Sequence, residues 1–139
     1  MLGVKTYEQD HVNACRARVR AQLDAYDELA TAARAAGLDD PIATFEPELL
    51  RSLVLVLDAS FVHRLRGVEG KNGNPLNEVR VLAASILEHD GVLVADGTIK
   101  LKPETSVLGL GPGDPIVIAR PDFDRLADAF FAEIEARFT

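Results

Sequence analysis

Residues 61–82 read FVHRLRGVEGKNGNPLNEVRVL, and this stretch indicates where one predicted helix ends and the next begins. It joins two strongly apolar segments through a connection that contains Gly67, Gly70 and Gly73. Loops that a rigid scaffold positions often carry function, and this loop is dense in long polar side chains. We therefore interpret residues 61–82 as the end of one helix, a polar loop and the start of the next helix.

The segments next to this loop are predicted to be helical. On its N-terminal side, residues 53–57 are apolar all round, and we predict a central buried helix over residues 48–66 that ends at Gly67. On its C-terminal side, Asn74 has the residue type of a helix N-cap and Pro75 that of a first helical position. A third helix is therefore expected to begin there.

A long first helix is predicted before these segments. Thr6 and Gln9 have the spacing of a capping box, and apolar residues then recur at intervals of three and four until Gly37. Such a helix has about eight turns, which is longer than a small core. It would extend past its own core or pack against a second copy, and we predict a homodimer.

The apolar periodicity changes after the third helix. Residues 92–101 read VLVADGTIKL and place Asp96-Gly97 between two short apolar runs, a pattern typical of a two-residue β-hairpin. Residues 116–118 form another short apolar run, and an amphipathic helix follows it to the C-terminus. We therefore predict an α+β fold. It is a mostly helical single domain over residues 1–139, with a small antiparallel sheet around residues 92–118.

Composition limits the classes of function. The 139 residues fit one domain, and 47% hydrophobic with 27% charged residues is typical of a globular protein. The net charge of −7 argues against a general nucleic-acid binder, because binding phosphate backbones needs a basic face. The lone Cys15 cannot form an internal disulfide, and no apolar run is long enough to span a bilayer. We predict a cytoplasmic protein with no nucleic-acid or membrane partner.

The polar loop is the positive part of an acidic chain. Between His63 and Arg80, four cationic side chains stand against two acidic ones. A helix start offers backbone N–H groups to an anion, and arginine can bind phosphate or carboxylate through two parallel hydrogen bonds. We predict that residues 63–80 bind a small anionic ligand or an acidic group of a partner. The candidate ligand-binding residues are Arg64, Arg66, Lys71, Asn74, Asn77 and Arg80.

Three other interpretations stay open. The arginines would have only a structural role in holding the loop if they paired with Glu69 and Glu78. Structural ion-pair networks and functional sites contain the same residue types. A small, metal-assisted or metal-free enzyme would use His63 as acid or base, with Glu69 or Glu78 orienting it. The chain would otherwise be a structural or regulatory subunit of an oligomer. No nucleophile motif, cofactor motif or convincing set of metal ligands is present, so we predict no cofactor and no metal, and leave open whether the chain is an enzyme.

Overall fold

Helices dominate the computed structural model, which describes residues 3–139. Helix accounts for 63% of the structure and strand for only 3%. The helices of this described part follow one another as α1 (Gln9–Ala35), α2 (Asp39–Ser60), α3 (Arg66–Glu69), α4 (Pro75–Glu88) and α5 (Arg120–Phe138).

The predicted antiparallel sheet around residues 92–118 does not form, so the α+β class is wrong. The fold is mainly α-helical, and a long irregular segment connects α4 to α5. In the part of the chain that the structure describes, β pairing is limited to two isolated bridges, Val4 with Arg64 and Val92 with Pro115.

The Asp96-Gly97 pair forms a turn but does not organise a hairpin. The Asp96 carboxylate accepts hydrogen bonds from the backbone N–H of Thr98 at 2.8 Å and from its hydroxyl at 2.7 Å. The backbone beyond the turn then bonds elsewhere, and the Lys100 N–H donates to the Lys71 carbonyl at 2.9 Å. Because an Asp side chain can close a turn by itself, the turn does not require paired strands on either side.

Helix boundaries agree with the prediction where a local residue fixes them. α4 begins at Pro75 with Asn74 as its N-cap, as predicted. α1 ends just before Gly37, whose φ of 77° lies in the left-handed region that favours glycine. The predicted capping box at Thr6 is not formed, because Glu8 is the N-cap residue and its side chain makes no cap hydrogen bond.

The central helix is displaced from its predicted range of 48–66. α2 begins at Asp39 and ends at Ser60, so Pro47 lies inside the helix rather than at its start. Pro41 occupies the first turn of α2, where a missing N–H removes no helical hydrogen bond. The shift leaves residues 61–65 outside the helix, where they form a turn followed by the isolated bridge at Arg64. The side chain of Arg64 is buried there.

One hydrophobic cluster takes residues from all four long helices. α1 packs on α2 and α5, and α4 packs on α2 and α5. The buried residues of α1 run from Val12 to Ala30, so most of its length is covered within this chain. The length of α1 alone therefore does not require a second copy, and the homodimer stays a prediction.

The largest buried side chains of the core include Phe61, Phe123, Phe130, Phe131 and Phe138.

Candidate anion-binding site

A buried ionic cluster lies at the centre of residues 61–82. The Glu69 carboxylate accepts hydrogen bonds from Arg64 Nε at 2.8 Å, Arg80 Nη2 at 2.6 Å and Asn77 Nδ2 at 2.7 Å. The side chains of Glu69 and Arg64 are both fully buried, while that of Arg80 is 22% exposed. We call Arg64, Glu69, Asn77 and Arg80 the Glu69 network.

Arg64 links this network to the neighbouring helices. Besides Glu69, its guanidinium donates to the carbonyl of Phe61 at 3.1 Å, to Asp58 Oδ1 at 3.0 Å and to the carbonyl of Leu76 at 3.2 Å. These partners belong to the end of α2, the chain just after it and the first turn of α4. Arg64 therefore connects two helices from inside the protein, and four of its five N–H donors are already used.

The predicted asparagines also have internal partners. Asn74 Oδ1 accepts from the N–H groups of Leu76 and Asn77 at 2.9 and 3.3 Å, and its Nδ2 donates to the Glu69 carbonyl at 2.8 Å. Asn77 Oδ1 accepts from the Gly73 N–H at 2.9 Å. The first turn of α4 is thus capped by its own side chains, and these backbone donors are not free for an anion.

The hydrogen bonds and charges around Glu69 keep it ionised. Burial acts to raise the pKa of its carboxyl group, but the hydrogen bond and charge of Arg80, the charge of Arg64 and the hydrogen bond from Asn77 together lower that pKa below its ordinary value. A buried carboxylate that compensates two guanidinium groups is stable as an anion. It follows that Glu69 holds the arginines in place as a fixed counter-charge.

Glu78 has a different role from Glu69. Its buried carboxylate accepts the backbone N–H groups of Val107 at 2.7 Å and Leu108 at 2.9 Å, and so ties the irregular segment to α4. Burial raises the pKa of Glu78, and the two backbone hydrogen bonds and the charge of Arg125 only partly offset this effect. Glu78 is therefore an anchor for a loop.

The structure does not bring the three predicted catalytic residues together. The side chain of His63 is exposed, whereas Glu69 and Glu78 are buried and engaged with other partners. Across residues 3–139, no side-chain hydrogen bond joins His63 to either carboxylate. An acid–base pair built on His63 has no geometric support here and stays a prediction.

The accessible part of the predicted site is a groove of about 270 Å³ beside the Glu69 network. It lies where residues 3–4 run alongside residues 63–65, and the Val4 N–H donates to the His63 carbonyl at 2.7 Å. We call it the Arg66 groove. Its lining includes Val62, His63, Leu65, Arg66 and Arg80.

The two arginines of the Arg66 groove differ in how firmly they are held. Arg80 uses Nε and Nη2 to bind Glu69, so its orientation is fixed, and among the described residues its Nη1 has no hydrogen-bond partner. Arg66 is exposed and forms no ion pair within residues 3–139. The groove therefore combines one pre-oriented guanidinium with one that is free to adapt to a ligand.

Sequence reasoning missed a second group of cationic side chains. Lys100, Lys102 and Arg137 line another cleft, together with Asn74. Lys71, which was a candidate, is exposed, and its backbone carbonyl holds Lys100 in place. The two-residue spacing of Lys100 and Lys102 puts them on one side of an extended chain and could have indicated this cleft.

The fold and site define a mainly α-helical protein with a buried ionic network beside a cationic groove. Within residues 3–139, no three or more His, Cys, Asp and Glu residues converge on a point where a metal ion could bind. In the same range, no helix combines the length and apolar character that crossing a bilayer needs. Comparison with known proteins finds no matching family model, no matching curated protein and no matching solved structure.

Proposed function

We propose that this protein binds a small anion, through a phosphate or carboxylate group, in the Arg66 groove. The observation that carries the proposal is that the guanidinium of Arg80 is held in place and still has an unused donor. A fully buried Glu69 holds Nε and Nη2 of its guanidinium, while Nη1 has no hydrogen-bond partner among the described residues. Arg80 also lines a groove that contains Arg66 and His63. Pre-orientation of a donor reduces the entropy that is lost on binding.

The lining of the groove favours an anion over other ligands. Arg66, Arg80 and His63 all supply N–H donors, and no carboxylate is among the described residues that line the groove. The carboxylates of Asp58 and Glu69 are already bound to Arg64 and Arg80. The charge of Asp96 also acts on Arg66 and Arg80, but Asp96 forms no ion pair with either within the described chain. A phosphate or carboxylate would receive charge-assisted hydrogen bonds there, which are about twice as strong as neutral ones.

The size of the groove and the charge of the chain favour a small ligand. A volume of about 270 Å³ is slightly below the range of about 300–1,000 Å³ that is usual for drug-sized ligands. The net charge of −7 over the whole chain repels a long polyanion such as nucleic acid. A compact anion, or one anionic group of a larger molecule, satisfies both conditions.

Titration calorimetry with inorganic phosphate and with acetate tests the proposal. We expect one of these anions to bind, and Arg66→Ala to weaken that binding about tenfold or more, because a charge-assisted hydrogen bond contributes about 1.5–3 kcal/mol. The melting temperature should barely change, since Arg66 is exposed and unpaired within the described chain.

The control is Arg18→Ala, which removes the same charge from an exposed, unpaired position of α1 within the described chain. It should leave anion binding unchanged. If neither anion binds the wild-type protein, or if both variants weaken binding equally, the proposal is wrong.

A further inference from the structure

We infer that the chain has a second, larger ligand site, which takes a phosphorylated small molecule that carries hydroxyl groups. The site is a cleft between the chain just before α4, residues 100–105 and the last turns of α5. We call it the Lys102 cleft. The polar residues that line it include Asn72, Lys100, Lys102, Glu133 and Arg137.

The Lys102 cleft has the size of a small-molecule site. Its volume is about 450 Å³, within the usual range of about 300–1,000 Å³. It shares no lining residue with the Arg66 groove. The two sites can therefore be occupied and altered separately.

Backbone contacts fix the walls of the cleft. The Lys100 N–H donates to the Lys71 carbonyl at 2.9 Å, which ties residues 100–102 to the loop before α4. Gly73 has a φ of 88°, and a Cβ at this position would collide with the Lys100 carbonyl oxygen. The chain thus uses a glycine where the loop before α4 approaches the backbone of Lys100 closely.

The charge in the cleft is strongly positive for an acidic chain. Lys100 and Lys102 are exposed and form no ion pair with any carboxylate of residues 3–139. Arg137 uses Nε to bind Glu133 Oε2 at 2.6 Å, and neither Nη atom has a hydrogen-bond partner among the described residues. Three cations therefore surround one carboxylate that is already paired. This excess suits a phosphate monoester, which carries a charge of about −1.5 to −2 near neutral pH.

The position of Arg137 is set by the loop before α4. A Cβ built on Gly70 would lie 3.3 Å from Arg137 Nη1, so the guanidinium of α5 rests against this loop. The same built Cβ would lie 3.8 Å from Asn74 Nδ2 and 4.0 Å from Asn72 Oδ1, so Arg137, Asn72 and Asn74 all surround Gly70. A ligand in the cleft would meet guanidinium donors on one side and the two lysines on the other.

Two polar groups in the cleft extend recognition beyond phosphate. Glu133 Oε1 has no partner among residues 3–139, and it can accept a hydrogen bond from a ligand hydroxyl. Asn72 Oδ1 accepts from Asn74 Nδ2 at 2.8 Å, which leaves the amide nitrogen of Asn72 free to donate. An acceptor and a donor beside a cationic centre match a hydroxylated phosphate ester such as a sugar phosphate.

The test uses ribose 5-phosphate as the probe and propyl phosphate as the same charge without hydroxyl groups. Both are titrated calorimetrically into the Arg66→Ala protein, so that the Arg66 groove contributes little. We expect one site per chain, with ribose 5-phosphate binding at least fivefold more tightly than propyl phosphate. Adding Lys100→Ala and Lys102→Ala should weaken the binding of ribose 5-phosphate at least tenfold.

A matched control and one further variant separate the possible explanations. Arg18→Ala with Arg20→Ala removes two cationic charges from α1 and should leave this affinity unchanged; the ion pair of Arg20 with Asp124 is exposed and contributes little. Glu133→Gln should reduce the preference for ribose 5-phosphate over propyl phosphate.

Each failure has a distinct meaning. No binding of either probe to Arg66→Ala overturns the Lys102 cleft as a site, and leaves the Arg66 groove to its own test with the wild-type protein. Equal affinity for the two probes overturns the hydroxylated ligand class. Binding that survives loss of both lysines overturns their role in holding the phosphate.

Discussion

Glu69 decides the role of the arginines around it. Its carboxylate accepts hydrogen bonds from Arg64 and Arg80, which come from different parts of the chain, and none of the Glu69 side chain is exposed. A buried ion pair is not stabilising merely because it is buried, since desolvation can exceed the attraction. Removing one member, however, leaves the other charge uncompensated. The Glu69 network is therefore a strong constraint on structure, and it also fixes the guanidinium of Arg80, which lines the Arg66 groove.

Glu69→Gln should destabilise the protein severely. The substitution leaves Arg64 buried beside a neutral amide, and we expect a loss of about 3–5 kcal/mol in the free energy of unfolding. Urea denaturation followed by far-ultraviolet circular dichroism measures this loss. Glu104→Gln is the control, because Glu104 is exposed and makes no side-chain hydrogen bond or ion pair within the described chain. A change under about 1 kcal/mol for Glu69→Gln would show that the network is not a structural brace.

The sequence could indicate the members of this site but not their roles. Asn74 was predicted as an N-cap because capping depends on neighbours two and three residues away, and that role is confirmed. Whether Arg64 or Arg66 is buried depends on where α2 ends, and the predicted end was several residues too late. Lys102 and Arg137 meet only through tertiary packing, which no local pattern contains. Long-range convergence is therefore the part that sequence reasoning could not reach.

At the scale of elements, helices were predicted better than the segment between α4 and α5. Amphipathic periodicity correctly indicated the C-terminal helix α5, whose apolar residues Phe123 and Phe130 are buried. The short apolar runs at 92–94 and 116–118 were interpreted as strands, but a short run has the same pattern in a packed irregular chain. Leu93 and Ile118 are buried there without a sheet. Side chains of α4, including Glu78, supply hydrogen bonds that strands would otherwise supply.

Glu78→Gln should release the irregular segment locally. The glutamine amide group can accept only one of the two hydrogen bonds that the carboxylate takes from Val107 and Leu108, so one N–H loses its partner. At neutral pH we expect hydrogen exchange of these two amides to accelerate about tenfold, which corresponds to about 1.4 kcal/mol. NMR measures this exchange, and the exchange rates of the α1 amides should change less than those of Val107 and Leu108. The exposed Glu88 of α4 gives the control Glu88→Gln, and equal effects of both variants would contradict the anchor role.

At the scale of the whole molecule, the helices share one hydrophobic cluster. Some polar side chains form buried hydrogen-bonded networks, and others line exposed grooves. The phenylalanines of α5 and the leucines of α2 pack in the same cluster as Val12 of α1. The cationic residues of the Arg66 groove and the Lys102 cleft lie outside that cluster. Substitutions of the exposed residues Arg66, Lys100 and Lys102 should therefore alter binding with little change in stability. Substitution of Arg80, which belongs to both the Arg66 groove and the Glu69 network, should alter both.

The pH dependence of stability separates the two buried glutamates, because their pKa shifts have opposite signs. The pKa of Glu69 is lower in the folded protein than its ordinary value of 4.5, so its stabilisation is complete above pH 4.5 and is lost as the pH falls through the folded pKa. The pKa of Glu78 is raised from 4.5 in the folded protein, so its stabilisation is complete below that pH and is lost as the pH rises through the folded pKa.

Urea denaturation of the wild-type, Glu69→Gln and Glu78→Gln proteins from neutral to acidic pH tests both signs. The wild-type advantage over Glu69→Gln should shrink below pH 4.5, because the wild-type carboxylate becomes protonated and can no longer compensate Arg64 and Arg80. Relative to Glu78→Gln, the wild-type protein should instead gain stability as the pH falls toward 4.5. Subtracting each variant from the wild type removes the contribution of the other carboxylates, whose titration is common to both proteins. A wild-type advantage over Glu69→Gln that stays constant down to acid unfolding would mean that Glu69 is not held as an anion by the two arginines.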